Sequence, residues 1–279
     1  MTKNILTQAD LKNAHTHFKF GENWKNFSSQ INEERIDEAK KSLVKFFGKS
    51  GIEGKTFLDI GCGSGLFSLA ALLLGAKKVV AVDIDADSVE TTRHVLQTFA
   101  PKKDFTVEVV SVFDLDPKKH GTFDIVYSWG VLHHTGDMET AIEKASQMVG
   151  PKGLFALALY TKTPLCGFWK KEKRIYTNAP KLVQFFMRSI WYSLFILSQI
   201  IFRQNVIAYI RNYKSSRGMS FSHDVHDWLG GFPYESISPE EMHALARKFH
   251  LKRHSEFLIK APRLGLLGTG CDEYVFEKL

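Results

Sequence analysis

The chain has 279 residues, of which 44% are hydrophobic and 24% charged, with a formal net charge of +7. That is enough chain to bury a full core, and the composition excludes a disordered, collagen-like or disulfide-scaffold protein. Three scattered cysteines (Cys62, Cys166, Cys271) form neither a disulfide framework nor a zinc motif, and the first residues lack the apolar core of a signal peptide. The expected setting is a reducing cytoplasm.

In chain order, an aromatic-rich stretch with Phe20 and Trp24 comes first. Ile36, Ala39, Leu43 and Phe46 then recur at helical spacing, with Gly48 as the stop. Residues 1–50 therefore read as an N-terminal helical cap. Phe20 and Trp24 either wall a substrate pocket or simply pack this helix on the rest.

Next comes the run Phe57-Leu58-Asp59-Ile60-Gly61-Cys62-Gly63-Ser64-Gly65. An apolar strand interrupted by an acid ends in three alternate glycines, which let the backbone turn sharply and lie against a ligand. The Ala/Leu-rich residues 66–74 predict a helix that closes at Gly75. Strand, glycine turn and helix form the entry to a Rossmann-like nucleotide site. The third glycine comes one residue earlier than a dinucleotide fingerprint requires. Asp59 precedes the turn, and a carboxylate suits a cationic ligand better than a diphosphate. The following strand, residues 78–82, ends in Asp83, placed to take ribose hydroxyls.

Residues 105–110 predict a third strand, leading to Ser111-Val112-Phe113-Asp114. Residues 122–128 predict a fourth, followed by Trp129-Gly130-Val131-Leu132-His133-His134. Asp137 caps a helix through Val149, and residues 154–160 predict a fifth strand after a Pro151-Lys152-Gly153 turn.

Over about residues 55–161 this pattern resembles the class I S-adenosylmethionine methyltransferases. The resemblance implies a Rossmann-like, doubly wound α/β sheet of seven strands, mostly parallel with the last antiparallel, and S-adenosyl-L-methionine as cofactor. The implied cofactor-binding set is Asp59, Gly61, Cys62, Gly63, Gly65, Asp83, Ile84, Asp114 and Trp129. Within it, Asp59 helps hold the methionine ammonium and Asp83 the ribose. Asp114 comes later than the acid that usually faces adenine. At the level of the SAM motifs the chain resembles small-molecule methyltransferases of the ubiquinone-biosynthesis type.

Residues 162–234 read as a basic and apolar insertion, carrying eleven Lys or Arg between Lys162 and Arg217 against one acid, Glu172. Its segment 189–202 is strongly apolar. As a helix it is about 21 Å long, too short to span a bilayer. A buried lid helix is expected there, with a membrane-interfacial helix as the alternative. Ser238-Pro239-Glu240-Glu241 then reads as a capping box, opening a helix to about His250. Strands near 251–259 and 273–276 finish the core, so residues 51–161 and 235–279 belong together.

Methyl transfer to a hydroxyl or thiol needs alignment and a proton acceptor. His133 and His134 follow strand four, and His133, being first, is the favoured base. The cluster from His223 to Tyr234 offers a third candidate in His223, and no metal site is assigned. The expected acceptor is a small or lipid-like molecule with apolar or aromatic character, methylated at oxygen or sulfur. Peripheral contact with the inner face of a membrane through 189–202 is allowed. The alternative is an RNA methyltransferase that uses the basic insertion to bind nucleic acid. It lacks the Asn/Asp-Pro-Pro-Tyr motif of base-amino enzymes.

Overall fold

The computed structural model describes residues 31–217, 221–259 and 265–279, with the backbone alone at 212–217 and 222–224. Phe20 and Trp24 therefore lie outside the described residues, as does the side chain of His223.

Helix α1 (Glu33–Phe47) starts at Asn32, whose side chain accepts from the Arg35 amide, and stops at Gly48 with φ 78°. Five strands then alternate with helices: β1 (Thr56–Ile60), α2 (Leu66–Leu73), β2 (Lys78–Asp83), α3 (Ala86–Phe99), β3 (Phe105–Val109), a short α4 (Pro117–His120), β4 (Phe123–Trp129), α5 (Met138–Gln147) and β5 (Val149–Tyr160). Four helices follow: α6 (Cys166–Asn178), α7 (Lys181–Ile201), α8 (Val206–Arg217) and α9 (Phe221–Gly230). The chain closes with α10 (Pro239–Lys248), β6 (Leu251–Phe257) and β7 (Cys271–Lys278).

The strands form one sheet in the order β3-β2-β1-β4-β5-β7-β6. β1 to β5 are mutually parallel, and β7 runs antiparallel to both β5 and β6. This is the expected doubly wound, seven-stranded architecture. Apolar residues of α1, α2 and α3 fill one face, including Leu43, Leu69 and Leu96. α5 and α10 cover the other through Ile142, Met242 and Ala246. Because strands β1, β2 and β4 are buried on both faces, they read as nearly continuous apolar runs. α1 contributes Ile36, Ala39, Leu43 and Phe46 to this core.

Several boundaries differ from the sequence reading. β5 begins at Val149, because Val149 already pairs with Phe123 before an irregularity that takes up residues 150–153. Lys152 has φ 58° there, so the Pro-Lys-Gly turn sits inside the strand as a bulge. The apolar segment expected at 189–202 is part of a 21-residue helix that begins after Pro180. It is mostly open to solvent, and Phe195 is its one buried residue. No described helix is long and apolar enough to cross a membrane.

The chain leaves the core after Tyr160 and returns at Ile237. There the Ile237 amide donates to the Tyr160 carbonyl at 3.0 Å, and the Lys162 amide donates to the Ile237 carbonyl at 3.0 Å. Of the four helices between these points, α6, α7 and α9 pack a second core around Trp169, Tyr176, Val225, Leu229 and Tyr234. At the return, Ser238 and Glu241 complete a reciprocal capping box with Pro239 in the first turn. Replacing Ser238 with Ala should cost about 1 kcal/mol of unfolding free energy, readable by urea denaturation, because one helix-start amide loses its partner.

Candidate functional site

The site is built where β1 and β2 end. Gly61 and Cys62 both donate their amides to the Val82 carbonyl, at 2.8 and 3.1 Å, which folds the turn back over β2. Gly61 has φ 77°, and a Cβ there would overlap the Val131 side chain of the loop after β4. Gly65 has φ 77°, and a Cβ there would come within 2.9 Å of Thr92 Cα on α3. Glycine is required at both positions by conformation and by close approach. Cys62 turns its thiol inward, accepting from Thr92 Oγ1 at 3.3 Å, so only its backbone lines the turn. Burial pushes that thiol well above its usual range.

Two carboxylates flank the turn. Asp59 is buried and accepts from Ser68 Oγ at 2.6 Å. Burial outweighs that bond, with Asp83 adding to the effect, and its carboxyl is pushed up to about 7. Asp83 accepts from the Gly63 and Asp85 amides, both at 3.0 Å. Burial again dominates and lifts it to about 6. The other charge acting on Asp59 is itself a carboxylate, so an arriving cation would relieve both desolvation and repulsion. Ile84 is half-buried just beyond Asp83. Asp114 is exposed and ends a single 3₁₀ turn, Val112–Asp114. Trp129 closes β4 and donates its Nε1 hydrogen to Glu273 on β7 at 3.0 Å.

The loop after β4 presents the histidine pair in two different states. The Tyr160 amide donates to His133 Nδ1 at 3.3 Å. The neutral ring therefore carries its hydrogen on Nε2, a buried atom with no partner among the described residues. Burial, then His134 and Lys173, hold His133 well below the usual imidazole range, so it is neutral. His134 is the reverse. Its Nδ1 lies 2.7 Å from the Pro233 carbonyl, so Nδ1 donates and Nε2 bears the lone pair. Gly231 makes room for this ring, since a Cβ there would lie 2.7 Å from His134 Cε1.

Around the pair stands an aromatic wall. The Tyr160 ring is 3.8 Å from His133, 5.2 Å from Trp228 and 5.3 Å from Tyr234, centroid to centroid. Behind it Lys173, fully buried on α6, holds its ammonium 3.6 Å from the Trp228 ring centre with no hydrogen-bond acceptor among the described residues. Burial pulls the Lys173 ammonium down from its usual range, with Glu172 opposing, and burial pushes the Glu172 carboxyl up. Trp228 lies in the 223–234 cluster that the sequence singles out, whereas Lys173 and Tyr160 were not among its candidates. Tyr160 was readable as the last residue of a strand entering the site, whereas Lys173 lay hidden in a basic run.

His226, from the 223–234 cluster, joins the inserted helices to one another. Its Nδ1 is 2.6 Å from Tyr176 Oη and 3.1 Å from Arg188, tying α6, α7 and α9 together. No group of metal-ligating side chains occurs among the described residues.

The methyltransferase domain family matches residues 31–205, more than half of the chain. The chain belongs to that family. It is of the class I, S-adenosylmethionine-dependent kind, and its sheet order and glycine turn are those expected of that class. The cofactor fits the residues present: a turn free of Cβ atoms, with two under-compensated carboxylates beside it, is suited to a cationic nucleoside.

The chain is 45% identical over 85 residues to the ribosomal protein L11 methyltransferase of Thermotoga maritima, covering 30% of each. It is 31% identical over 140 residues to the ubiquinone biosynthesis O-methyltransferase of Chelativorans sp., covering 48% of this chain and 53% of that one. The matches thus span about a third to a half of these relatives. Among solved structures, magnesium protoporphyrin IX methyltransferase from Synechocystis PCC 6803 with bound SAH superposes at a TM-score of 0.52. It is 13% identical, and 90% of this chain and 86% of that one are covered. PKMT2 from Rickettsia typhi in complex with AdoHcy gives 0.57 at 17% identity, over 90% and 54%. At such identities these two speak for the fold.

The raised carboxyls have a stability signature. A carboxyl near 7 in the folded state and near its ordinary 3.8 when unfolded binds its proton more tightly folded. Asp59 therefore lowers the stability of the unliganded protein as pH rises from about 4 to about 7, with no further loss above. Thermal melts across that range should show a shallower decline in Asp59→Asn than in the parent. An unchanged slope would place the titration elsewhere.

Proposed function

We propose that the chain transfers a methyl group from S-adenosylmethionine to a small, apolar or aromatic acceptor, at a hydroxyl oxygen or thiol sulfur. The observation that carries this reading is the histidine pair inside an aromatic wall, one loop away from the glycine turn. The 31% identity to a ubiquinone biosynthesis O-methyltransferase supports an acceptor of that chemical type.

In this reading Asp59 pairs with the cofactor's ammonium, and Asp83 holds its ribose. Gly61, Gly63 and Gly65, with the Cys62 backbone, give it room. Ile84, Asp114 and Trp129 border it. When bound, the cofactor supplies a methyl carbon already activated by a sulfonium. The protein's own task is to align the acceptor and take its proton. His134 is the base, because the Pro233 carbonyl fixes its Nδ1 as the donor and makes Nε2 the accepting nitrogen of the neutral ring. This moves the role from His133, whose Nε2 hydrogen serves instead as a donor toward an acceptor oxygen. Lys173 gives the pocket a cationic end that stabilises an acceptor losing its proton. The side chain of His223 lies outside the described residues and takes no part in this assignment.

The acceptor is small or lipid-like, and 189–202 makes peripheral contact with the inner face of a membrane. The basic insertion had also allowed an RNA substrate. Its described outer surface on α7 is apolar, which favours the lipid-like reading.

Methyl transfer from radiolabelled S-adenosylmethionine to a panel of phenols, quinols and thiols tests this function. His134→Gln should lower turnover about 100-fold or more while S-adenosylhomocysteine still binds as in the parent. Asp83→Ala should instead abolish that binding. Full turnover in His134→Gln would remove it as the base, and methylation of RNA but of no small acceptor would overturn the substrate class.

A further inference from the structure

The outer face of the lid is an unusual surface. At 21 residues α7 is about 31 Å long, and one side of it carries large apolar side chains in a continuous stripe. Leu182, Phe186, Ile190, Leu194, Leu197 and Ile201 follow one another at intervals of three or four, the spacing of a single helical face. All six are exposed, Ile190 at 62% and Ile201 at 66%. The surface continues past the helix end through Phe202 at 74% and Ile207 on α8 at 80%. Isolated exposed leucines need no explanation, but a contiguous apolar face of this length marks an interaction surface.

Charge indicates what covers it. From Lys173 to His223 the sequence contains no Asp or Glu. Lys181 opens α7, Arg203 follows it and Arg211 lies on α8, and all three are exposed. Arg188 does not belong to this set, because it turns inward to donate to Tyr176 Oη at 2.8 Å. An apolar stripe with cations at its ends, on a stretch of chain without an acid, complements an anionic bilayer surface, with side chains at the acyl boundary and cations among phosphates.

The opposite side of α7 faces the lid core. Trp191 stacks on Phe195 at 5.4 Å, and Phe195 packs 5.0 Å from Phe221 of α9. The same α9 carries Trp228 of the acceptor wall. One layer of helices thus separates the stripe from the acceptor wall.

We infer that α7 and the start of α8 dock the protein in-plane on an anionic lipid bilayer, through the 182–201 stripe with Lys181, Arg203 and Arg211. This extends the contact suggested at 189–202 and names its lipid chemistry. It rests on the apolar face alone and does not require the methyl-acceptor assignment.

The test is co-sedimentation of the full chain with phosphatidylcholine vesicles, with and without phosphatidylglycerol. The parent should pellet with the anionic vesicles, far less with neutral ones, and less at high salt. Ile190→Glu with Leu197→Glu should weaken pelleting by more than about tenfold. Lys181→Glu with Arg203→Glu should remove the preference for anionic lipid, each cation contributing about fivefold. Melting temperature and S-adenosylhomocysteine binding should match the parent in both variants, since the positions face outward.

A parent chain that stays in the supernatant with anionic vesicles overturns the inference. So does a dimer in light scattering that Ile190→Glu with Leu197→Glu dissolves without any vesicle binding, which would mean a second copy covers the face. Binding of single-stranded RNA in place of vesicles, lost in Lys181→Glu with Arg203→Glu, overturns it as well. A parent that pellets with vesicles yet binds no S-adenosylhomocysteine would leave the docking standing and remove the cofactor reading.

Discussion

The contact between Gly61 and Val131 is the constraint on which the site depends. A turn at the end of β1 and a loop at the end of β4 approach so closely that no side chain fits between them. The same closeness sets the histidine pair, two and three residues beyond Val131, beside a turn flanked by the buried Asp59 and the half-buried Asp83. Parallel pairing of β1 with both β2 and β4 brings these strand ends to one edge of the sheet. The glycine turn, the two acids and the histidine pair thus come from neighbouring strand ends and need no long-range arm to meet.

A second constraint joins this edge to the inserted helices. Tyr160 ends β5, lends its amide to His133 and its carbonyl to Ile237, and packs its ring against Trp228. The insertion leaves and rejoins the sheet at this one residue, with the Glu235 amide donating to the His133 carbonyl at 3.0 Å. Movement of the lid would therefore be felt directly at the histidine loop. The buried Lys173 fits the same picture. An ammonium against aromatic rings, with no oxygen acceptor among the described residues, is costly for folding alone, and such groups concentrate where chemistry needs them.

Much of this was legible in the sequence because it rests on local rules. The glycine turn, the acids at both strand ends, the stop at Gly48 and the Ser238–Glu241 box each follow from short-range backbone geometry or capping. The rest depends on tertiary partners. Nothing near His133 or His134 in sequence says which ring nitrogen bears hydrogen; the Tyr160 amide and Pro233 carbonyl decide it. Residues 189–202 are apolar on nearly every side, so periodicity could not tell a buried helix from an exposed one. Its true start lies at Pro180, outside the strongest hydrophobic run. β5 reaches back to Val149 because a bulge absorbs the Pro-Lys-Gly turn, and such irregular pairing leaves no periodic trace.

The central claim is that the Gly61–Gly65 turn, with Asp59 and Asp83 beside it, holds a cationic adenosyl ligand and not a dinucleotide. Calorimetric titration of the purified chain with S-adenosylmethionine, S-adenosylhomocysteine and NAD decides it most directly. Saturable, micromolar binding of the first two with no heat from NAD is the expected result. Tight NAD binding, or no binding of either adenosyl compound, would contradict the account.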